Sequence, residues 1–564
     1  MQIIKSVFIF ALLFCPVFII AQTTYLQDGS KEYRLVDRLE IKYGNNTGIN
    51  FGGIKPYTRR DIVREAEFID SSFGASSASS TPNLSGINLT PVDKYNLQSL
   101  LMNNSEWVTG DKTSFLSKKP ILKSFYVTKP NLLEVNVKDF YLAVNPIISF
   151  QLGKESNSDE TIFLNQRGVT ARGMIARQIG FSTTISDNQE RPPSFVRNYV
   201  AENRALPGEG FIKKYKTDGL DYFNGSGYIT FNVAHYVDVQ FGYDKNFIGD
   251  GYRSLFLDNY GNNYLFLKLN TKIWKFNYQN LFMELIPQFE KDKGDVLLDR
   301  KYAAMHHLSM NVTKWLNVGL FEGIIFGRTN HFDFQYLNPI IFLRHIEGTI
   351  GSPDNALAGF DFKANVAHRF QFYGQFILDE FNSKTIFSNK GSWLNKYGYQ
   401  LGAKYVDAFT VKNLDLQVET NRVRPFVYSH SDSVANYTHY NQPLAHPLGA
   451  NFQEFIGIIK YQPLPKVRFD ARIIYYYKGL DSAGVDEGGN IFELYTKRTR
   501  SDGYFVGGGN RTEVVNASAT LGYELRENLF IEGNVLFRKQ TGIQDINVFN
   551  IGLRWNVGRK DYSF

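Results

Sequence analysis

The stretch VFNIGLRWNVG, residues 548–558, decides the fold. Phe549, Ile551, Leu553, Trp555 and Val557 are apolar, and Asn550, Gly552, Arg554, Asn556 and Gly558 between them are small or polar. A period of two is a β-strand with one greasy and one wet face. The chain then ends on an aromatic residue, Phe564. Working back from this end, the same rhythm recurs. Val515, Ala517, Ala519 and Leu521 alternate with Asn516, Ser518, Thr520 and Gly522. Val467, Phe469, Ala471 and Ile473 alternate with Arg468, Asp470 and Arg472. Leu414, Leu416 and Val418, the segment 397–405 and the pair of segments 228–233 and 237–244 repeat the pattern.

A soluble sandwich would alternate in the same way, but two features favour a membrane barrel. Charges such as Arg468, Asp470 and Arg472 fall on the inward set, which a sandwich needs dry. Connection lengths also alternate. Short turns are read at 234–236, 270–272, 313–315, 367–369, 464–466 and 525–527. Long ones are read at 188–225, 246–262, 328–357, 381–396, 426–451 and 479–512. Short periplasmic turns and long outer loops are the asymmetry of outer-membrane barrels. The fold class is therefore an all-β transmembrane barrel of about 18 antiparallel strands, with a small N-terminal α-helical region. Lipid cannot satisfy a free N–H or C=O, so the last strand must pair with the first. Leu316 to Phe326 alternates poorly, which reads as a bulge or a misplaced strand.

The remaining chain fits this address. Residues 1–21 read as a signal peptide: Lys5, an apolar run from Val7 to Ile20, and Ala21 before Gln22. Cys15, the only cysteine, lies inside it, so the mature chain has no disulfide and no thiolate metal site. No later segment is a transmembrane-helix candidate. The net charge of +7 falls to +6 without Lys5, too diffuse for a nucleic-acid partner. Residues 22–129 form an N-terminal periplasmic or plug region. One helix starts at Thr58-Arg59-Arg60-Asp61 and runs to about Asp70; a second starts at Thr90-Pro91 and runs to about Trp107. Gly74 to Pro82 links them. These helices plug the barrel, sit beneath it or form an independent module. Residues 130–564 are the barrel.

No residue set points to catalysis. The chain lacks a G-x-S-x-G elbow, an H-E-x-x-H pair and a Walker loop, and no cofactor is implied. His430, His439 and His446 share one long loop with Asp432, but their spacing fits no compact zinc motif, so they read as loop-folding groups or sugar contacts. His306 and His307 are adjacent on a strand and point to opposite faces. Asp379 continues the inward set of Gln371, Tyr373 and Gln375. With Glu322, Arg344 and Arg424 it reads as a polar lumen or loop network, or as glycan contacts. In 244–253, Gly249 and Gly251 allow backbone turns, and Arg253 pairs with Asp244 or Asp250. Trp393, Tyr437, Tyr440, Tyr495 and Tyr504 read as sugar platforms or as an interfacial girdle.

Several longer motifs carry a resemblance. They are DKNFIGDGYRSLFLDNY (244–260), FEGIIFGRTNHFDFQYLNPIIFLRHIEGTIGSPDNALAGF (321–360), YGQFILDEF (373–381) and NRVRPFVYSHSDSVANYTHYNQPLAHPLGANFQE (421–454). DRLEIKYG (37–44) and KPYTRR (55–60) extend it towards the N-terminus. The chain resembles the capsule assembly protein Wzi family, and within it the relatives of gliding bacteria called gliding motility protein RemB. The resemblance implies an 18-stranded outer-membrane barrel with a periplasmic helical part and no catalytic residues. It implies a surface protein that attaches capsular or slime polysaccharide, or an accessory of gliding or export machinery with protein partners. A diffusion pore is the third reading; the inward charges, long loops and N-terminal helices predict an occluded one. Outer-membrane lipid is the common partner in all three.

Overall fold

The computed structural model describes residues 23–45, 48, 51–74, 89–288, 297–328, 331–340, 342–351, 353–380, 384–385, 389–482 and 484–564. The leader (1–21) and the linker from residue 75 onward lie outside them. Eighteen antiparallel strands close into one barrel: β1 Phe140–Glu155, β2 Thr161–Ile175, β3 Ile179–Arg191, β4 Gly219–Val233, β5 Val237–Asp244, β6 Tyr264–Ile273, β7 Phe276–Leu285, β8 Lys301–Asn311, β9 Leu316–Phe326, β10 Asn355–Val366, β11 Phe370–Glu380, β12 Lys396–Tyr405, β13 Leu414–Val423, β14 Phe452–Leu464, β15 Val467–Leu480, β16 Asn510–Arg526, β17 Leu529–Gln540 and β18 Ile543–Trp555. Closure is made by β18 on β1, from Val548 opposite Glu155 to Trp555 opposite Ile148. The short strand Leu133–Val137 continues that edge by pairing with the start of β1. Phe549 and Ile551 stand exposed on the outer wall, as their alternation requires.

The turns correct the sequence reading in three places. β6 runs on to Ile273, so the turn expected at 270–272 is made by Trp274 and Lys275. The turn expected at 525–527 is at Glu527-Asn528, with Asn528 in the left-handed region that its short polar side chain tolerates. The long-loop end is also not uniformly long. β1 and β2 are joined by 156–160, and β17 and β18 by Thr541-Gly542, where Gly542 has φ 73°. The outer rim is therefore low across β17, β18, β1 and β2.

β9 holds no bulge. Its register with β8 runs unbroken from Tyr302 opposite Phe326 to Asn311 opposite Asn317. Alternation fails there because both faces are covered. Phe321 and Ile325 pack inwards on the lumen core, while Ile324 and Phe326 pack outwards against a connecting segment. A strand buried on both sides reads as a continuous apolar run.

Three helices fill the short-turn end. α1 Glu32–Tyr43, α2 Arg59–Gly74 and α3 Pro91–Asn103 share a core that includes Leu35, Leu39, Ile62, Ala66, Leu97 and Leu101. The starts of α2 and α3 fall where expected. Thr90 Oγ1 accepts from Asp93 N at 3.0 Å, and Asp93 accepts in return from Thr90 N at 3.1 Å. α3 is shorter than the expected run to Trp107, and α1 was not foreseen. Its signs are present: Leu35, Val36 and Leu39 on one face, and Gly44 at φ 72° closing the C-terminus.

Candidate functional site

The helices close the short-turn end by ion pairs to the wall and its turns. Arg38 lies 3.0 Å from both Asp93 and Asp407 and also pairs with Asp415. Lys42 reaches Asp93 at 2.7 Å and Asp407 at 2.8 Å. Lys363 meets Glu40 at 2.9 Å, Lys404 meets Asp37 at 3.0 Å, and Arg172 meets Glu106 at 3.1 Å. Burial alone would raise the Asp93 carboxyl; Arg38 and Lys42 overcome it and hold it down at about 2.

Two long loops and the C-terminal tail fill the lumen above. Residues 245–263 fold inwards, with Leu255, Phe256 and Leu257 fully buried. Phe256 stacks on Phe321 with ring centres 4.5 Å apart. Tyr428 and Tyr437, from the 424–451 loop, donate to the carbonyls of Leu255 (2.8 Å) and Phe256 (2.6 Å). Glu419 accepts from the N–H groups of Tyr252 (2.6 Å) and Arg253 (3.1 Å), and from Tyr373 Oη at 2.8 Å. Gly251 is required at this approach, since a Cβ there would lie 2.7 Å from Glu419 Oε2 and Gln400 Oε1.

The tail was not anticipated. β18 stops at Trp555, and residues 556–564 turn back up inside the barrel. Arg559 pairs with Glu532 at 2.8 Å, Lys560 with Glu190 at 2.8 Å, and Asp561 with Arg472 at 2.6 Å. Tyr562 Oη donates to Glu190 at 2.8 Å. The terminal Phe564 ring sits 4.8 Å from Tyr199 and 5.7 Å from Phe195. Both belong to α4, Ser194–Asn203, in the loop after β3. Arg538 and Arg253 donate to the carbonyls of Phe564 and Ser563. The sequence held a signal: after Gly558 the rhythm gives way to the charged run Arg559-Lys560-Asp561.

Where the tail ends, a cavity of about 630 Å³ opens at the long-loop end. Phe564 and α4 form one side, with Tyr199, Glu202 and Asn203 facing it. Lys478 and Arg538 from the wall, and Ile491 from the loop after β15, complete it. A second cavity of about 300 Å³ lies between the helical plug and β1–β5, lined largely by amides and hydroxyls such as Asn145, Thr170, Ser182 and Asn224.

The expected site residues divide into three groups. Arg253 and His446 converge on Glu454, at 3.6 Å and 2.7 Å. Arg253 thus turns to Glu454 and the tail, and Asp250 pairs with Lys363 at 3.3 Å instead. Asp244, at the end of β5, accepts from Lys245 N at 2.8 Å. Asp379 accepts from Tyr428 N at 2.8 Å, and Arg424 donates to the carbonyls of Asn395 (2.7 Å), Ser392 and Tyr504 (3.2 Å each). The second group folds loops. His439 accepts from Ile286 N at 3.0 Å and faces Asn263 O at 3.0 Å; burial takes it down to about 4. His430 accepts from Asp432 N at 3.2 Å. Burial also lowers His446, and it pushes Asp258 up to about 6 against the pull of Arg253. The third group, Glu322 and Arg344, stands outside the wall, away from the lumen network. His306 also faces out, 2.8 Å from Glu322, while His307 faces in, 2.6 Å from Asp361. Among the described residues no cluster of His, Cys, Asp and Glu has metal-site geometry.

The aromatic candidates separate as well. Tyr437 and Tyr504 are fully buried. Trp393 and Tyr495 lie at the long-loop end, with Arg498 3.5 Å over Trp393 and Lys396 3.9 Å over Tyr495.

A family model described as "Capsule assembly protein Wzi" matches residues 199–541. Among curated proteins none matches. Among solved structures, the chain is similar to Wzi, an outer-membrane protein involved in group 1 capsule assembly in Escherichia coli, described as a carbohydrate-binding β-barrel. Identity is 11%, with 96% of this chain and 100% of that chain covered at a TM-score of 0.56. OprD from Pseudomonas aeruginosa matches at 11% identity over 78% of this chain and 97% of its own, TM-score 0.41. OccAB2 from Acinetobacter baumannii matches at 9% identity over 73% and 97%, TM-score 0.39.

Proposed function

The chain belongs to the capsule assembly protein Wzi family and is an outer-membrane β-barrel, and from that premise we propose that it holds capsular or slime polysaccharide at the cell surface without catalysing a reaction. The outer cavity of about 630 Å³ carries this reading. It is open on the side where the rim is low, and it combines the groups that grip sugars. Tyr199, backed by the buried Phe564, offers a ring face for the C–H side of a pyranose. Asn203 and Glu202 offer hydrogen bonds to hydroxyls, and Lys478 suits a carboxylate of an acidic glycan. The barrel gives this site rigidity, and the packed lumen keeps the bound chain outside.

The test is a titration of the purified full chain with the host's own surface polysaccharide. Saturable binding is expected, weakened about tenfold by Tyr199→Ala, the effect of losing ~1.4 kcal/mol of stacking. No saturable binding, or equal binding by the variant, overturns the proposal. The finer placement beside the gliding-motility RemB relatives rests on the 244–260 and 421–454 motifs. It predicts that a deletion strain loses spreading as well as polysaccharide retention. If the protein binds no glycan and envelope proteins co-purify with it, the accessory role replaces the glycan role.

A further inference from the structure

The connection between β9 and β10 does not project as an outer loop. Its described residues, 331–340, 342–351 and 353–354, lie back along the outside of the barrel. Alternation fixes the side: Ala303, Met305, Phe321 and Ile325 point into the lumen core, so Tyr302, Ala304, His306, Glu322, Ile324 and Phe326 point away from it. These outward positions are covered. Tyr336, on the turn Phe334–Leu337, and Leu343 and Ile346, on α5 Leu343–Thr349, bury themselves against Phe282, Tyr302, Ala304, Ile324 and Phe326.

The covering segment also satisfies polar groups that bare lipid would not. His306 Nδ1 lies 2.8 Å from Glu322 Oε1, and Leu343 N donates to Glu322 Oε2 at 3.0 Å. Asn280, opposite His306 on β7, donates to Pro339 O at 3.3 Å. A carboxylate facing hydrocarbon without partners costs several kcal/mol. At the upper end the segment is tied down. Arg328 grips Asp354 through two bonds of 2.8 Å, and Tyr336 Oη donates to Asp354 at 2.7 Å. Glu322 lies four residues from the upper end of β9 and six from the lower, so the strap reaches about half-way down the wall.

Directly beneath it, in the same outward columns, Leu308 and Leu320 face each other across β8 and β9, both exposed as part of the lipid-facing band. The strap's own outer face continues that surface: Phe334 is 81% exposed, Ile340 85% and Phe342 74%. We infer that the strap is immersed in the outer leaflet and that Phe334, Ile340 and Phe342 are covered by lipid acyl chains. Continuity with the lipid-facing wall below selects lipid over water. Left in water, each of these large apolar side chains would forgo the free energy of leaving it. Arg344, exposed on α5, pairs with the buried Glu347 at 2.6 Å.

Because Cys15 is the only native cysteine, site-directed spin labels test this cleanly in proteoliposomes of the full barrel. Labels go at Phe334→Cys, Ile340→Cys and Phe342→Cys. Leu320→Cys is the lipid reference and Lys497→Cys the aqueous one. The strap labels are expected to collide with oxygen as Leu320→Cys does and to be shielded from a water-soluble nickel chelate. Nickel collision at the level of Lys497→Cys would place the strap in water and overturn the inference. Low access to both probes would mean that protein, such as a second copy, covers the strap, and would overturn it equally. None of these outcomes depends on glycan binding, so the two proposals stand or fall separately.

Discussion

The two ends of the barrel are closed by different chemistry. The short-turn end is stoppered by a helical unit whose Arg38, Lys42 and Asp93 pair with one another and, through Asp407 and Asp415, with the wall and its turn. The long-loop end is filled by folded-in loops held largely by tyrosine hydroxyls, amides and histidines, such as Tyr428, Tyr437 and His439, with ion pairs at Glu454 and along the tail. A closed seal tolerates fixed ion pairs, because nothing has to be admitted. A surface open to a ligand keeps hydrogen-bonding groups and ring faces whose desolvation costs less than that of a closed ion-pair network. The difference fits sealing at one end and the proposed recognition at the other.

The largest effect should come from the seal. Arg38→Met removes the guanidinium from Asp93, Asp407 and Asp415. A loss of ~3–5 kcal/mol is expected for breaking a buried network on one side, read as a lower urea midpoint for unfolding of the helical unit. An unchanged midpoint would show that the ion pairs are not what holds the seal. At the other end, His446→Phe leaves Glu454 Oε2 without the imidazole at 2.7 Å. A smaller loss of ~1–3 kcal/mol is expected, confined in hydrogen exchange to the 424–451 loop.

Acid should separate the two ends in a fixed order. His439 is lowered from 6.5 to about 4, so the unfolded loop binds a proton that the folded one refuses. Its contribution is intact above pH 6.5 and falls as pH drops towards 4. Asp93 is lowered from 3.8 to about 2, so its contribution is intact above 3.8 and is lost only as pH falls through about 2. Hydrogen exchange followed from pH 7 to pH 3 should show the 424–451 loop loosening before α3. The reverse order would show that the two ends are not held by groups of different acid sensitivity. The smallest expected effect is Thr90→Ala, which removes the α3 cap and the 2.6 Å bond to Asn413. About 1 kcal/mol of local stability should be lost, visible as faster exchange at the start of α3.

What the sequence disclosed and what it hid follow from how many faces of a strand are covered. β18 was legible because one face meets lipid and the other a polar lumen. β9 was not, because the strap buries Ile324 and Phe326 on the outer side. Its failed alternation was the strap's signature, and reading it as a bulge missed the cause. The strand number and inward charges such as Arg468 and Arg472 were readable from period and loop length. Pairings were not, since Arg253 meets Glu454, 201 positions away in the chain, and no local spacing encodes that. The tail shows the same limit. The charged run Arg559-Lys560-Asp561 marks the end of the strand, but its partners Glu532, Glu190 and Arg472 come from three different strands.

A barrel closed by helices at one end and by folded-in loops at the other fits the proposed role of an anchor and not a passage. Single-protein conductance in planar bilayers tests it most directly. The full chain should insert without a large, steady open-pore current at any modest voltage. A stable current of that kind from the unaltered protein would contradict the seal, and with it the assignment of recognition to the outer mouth.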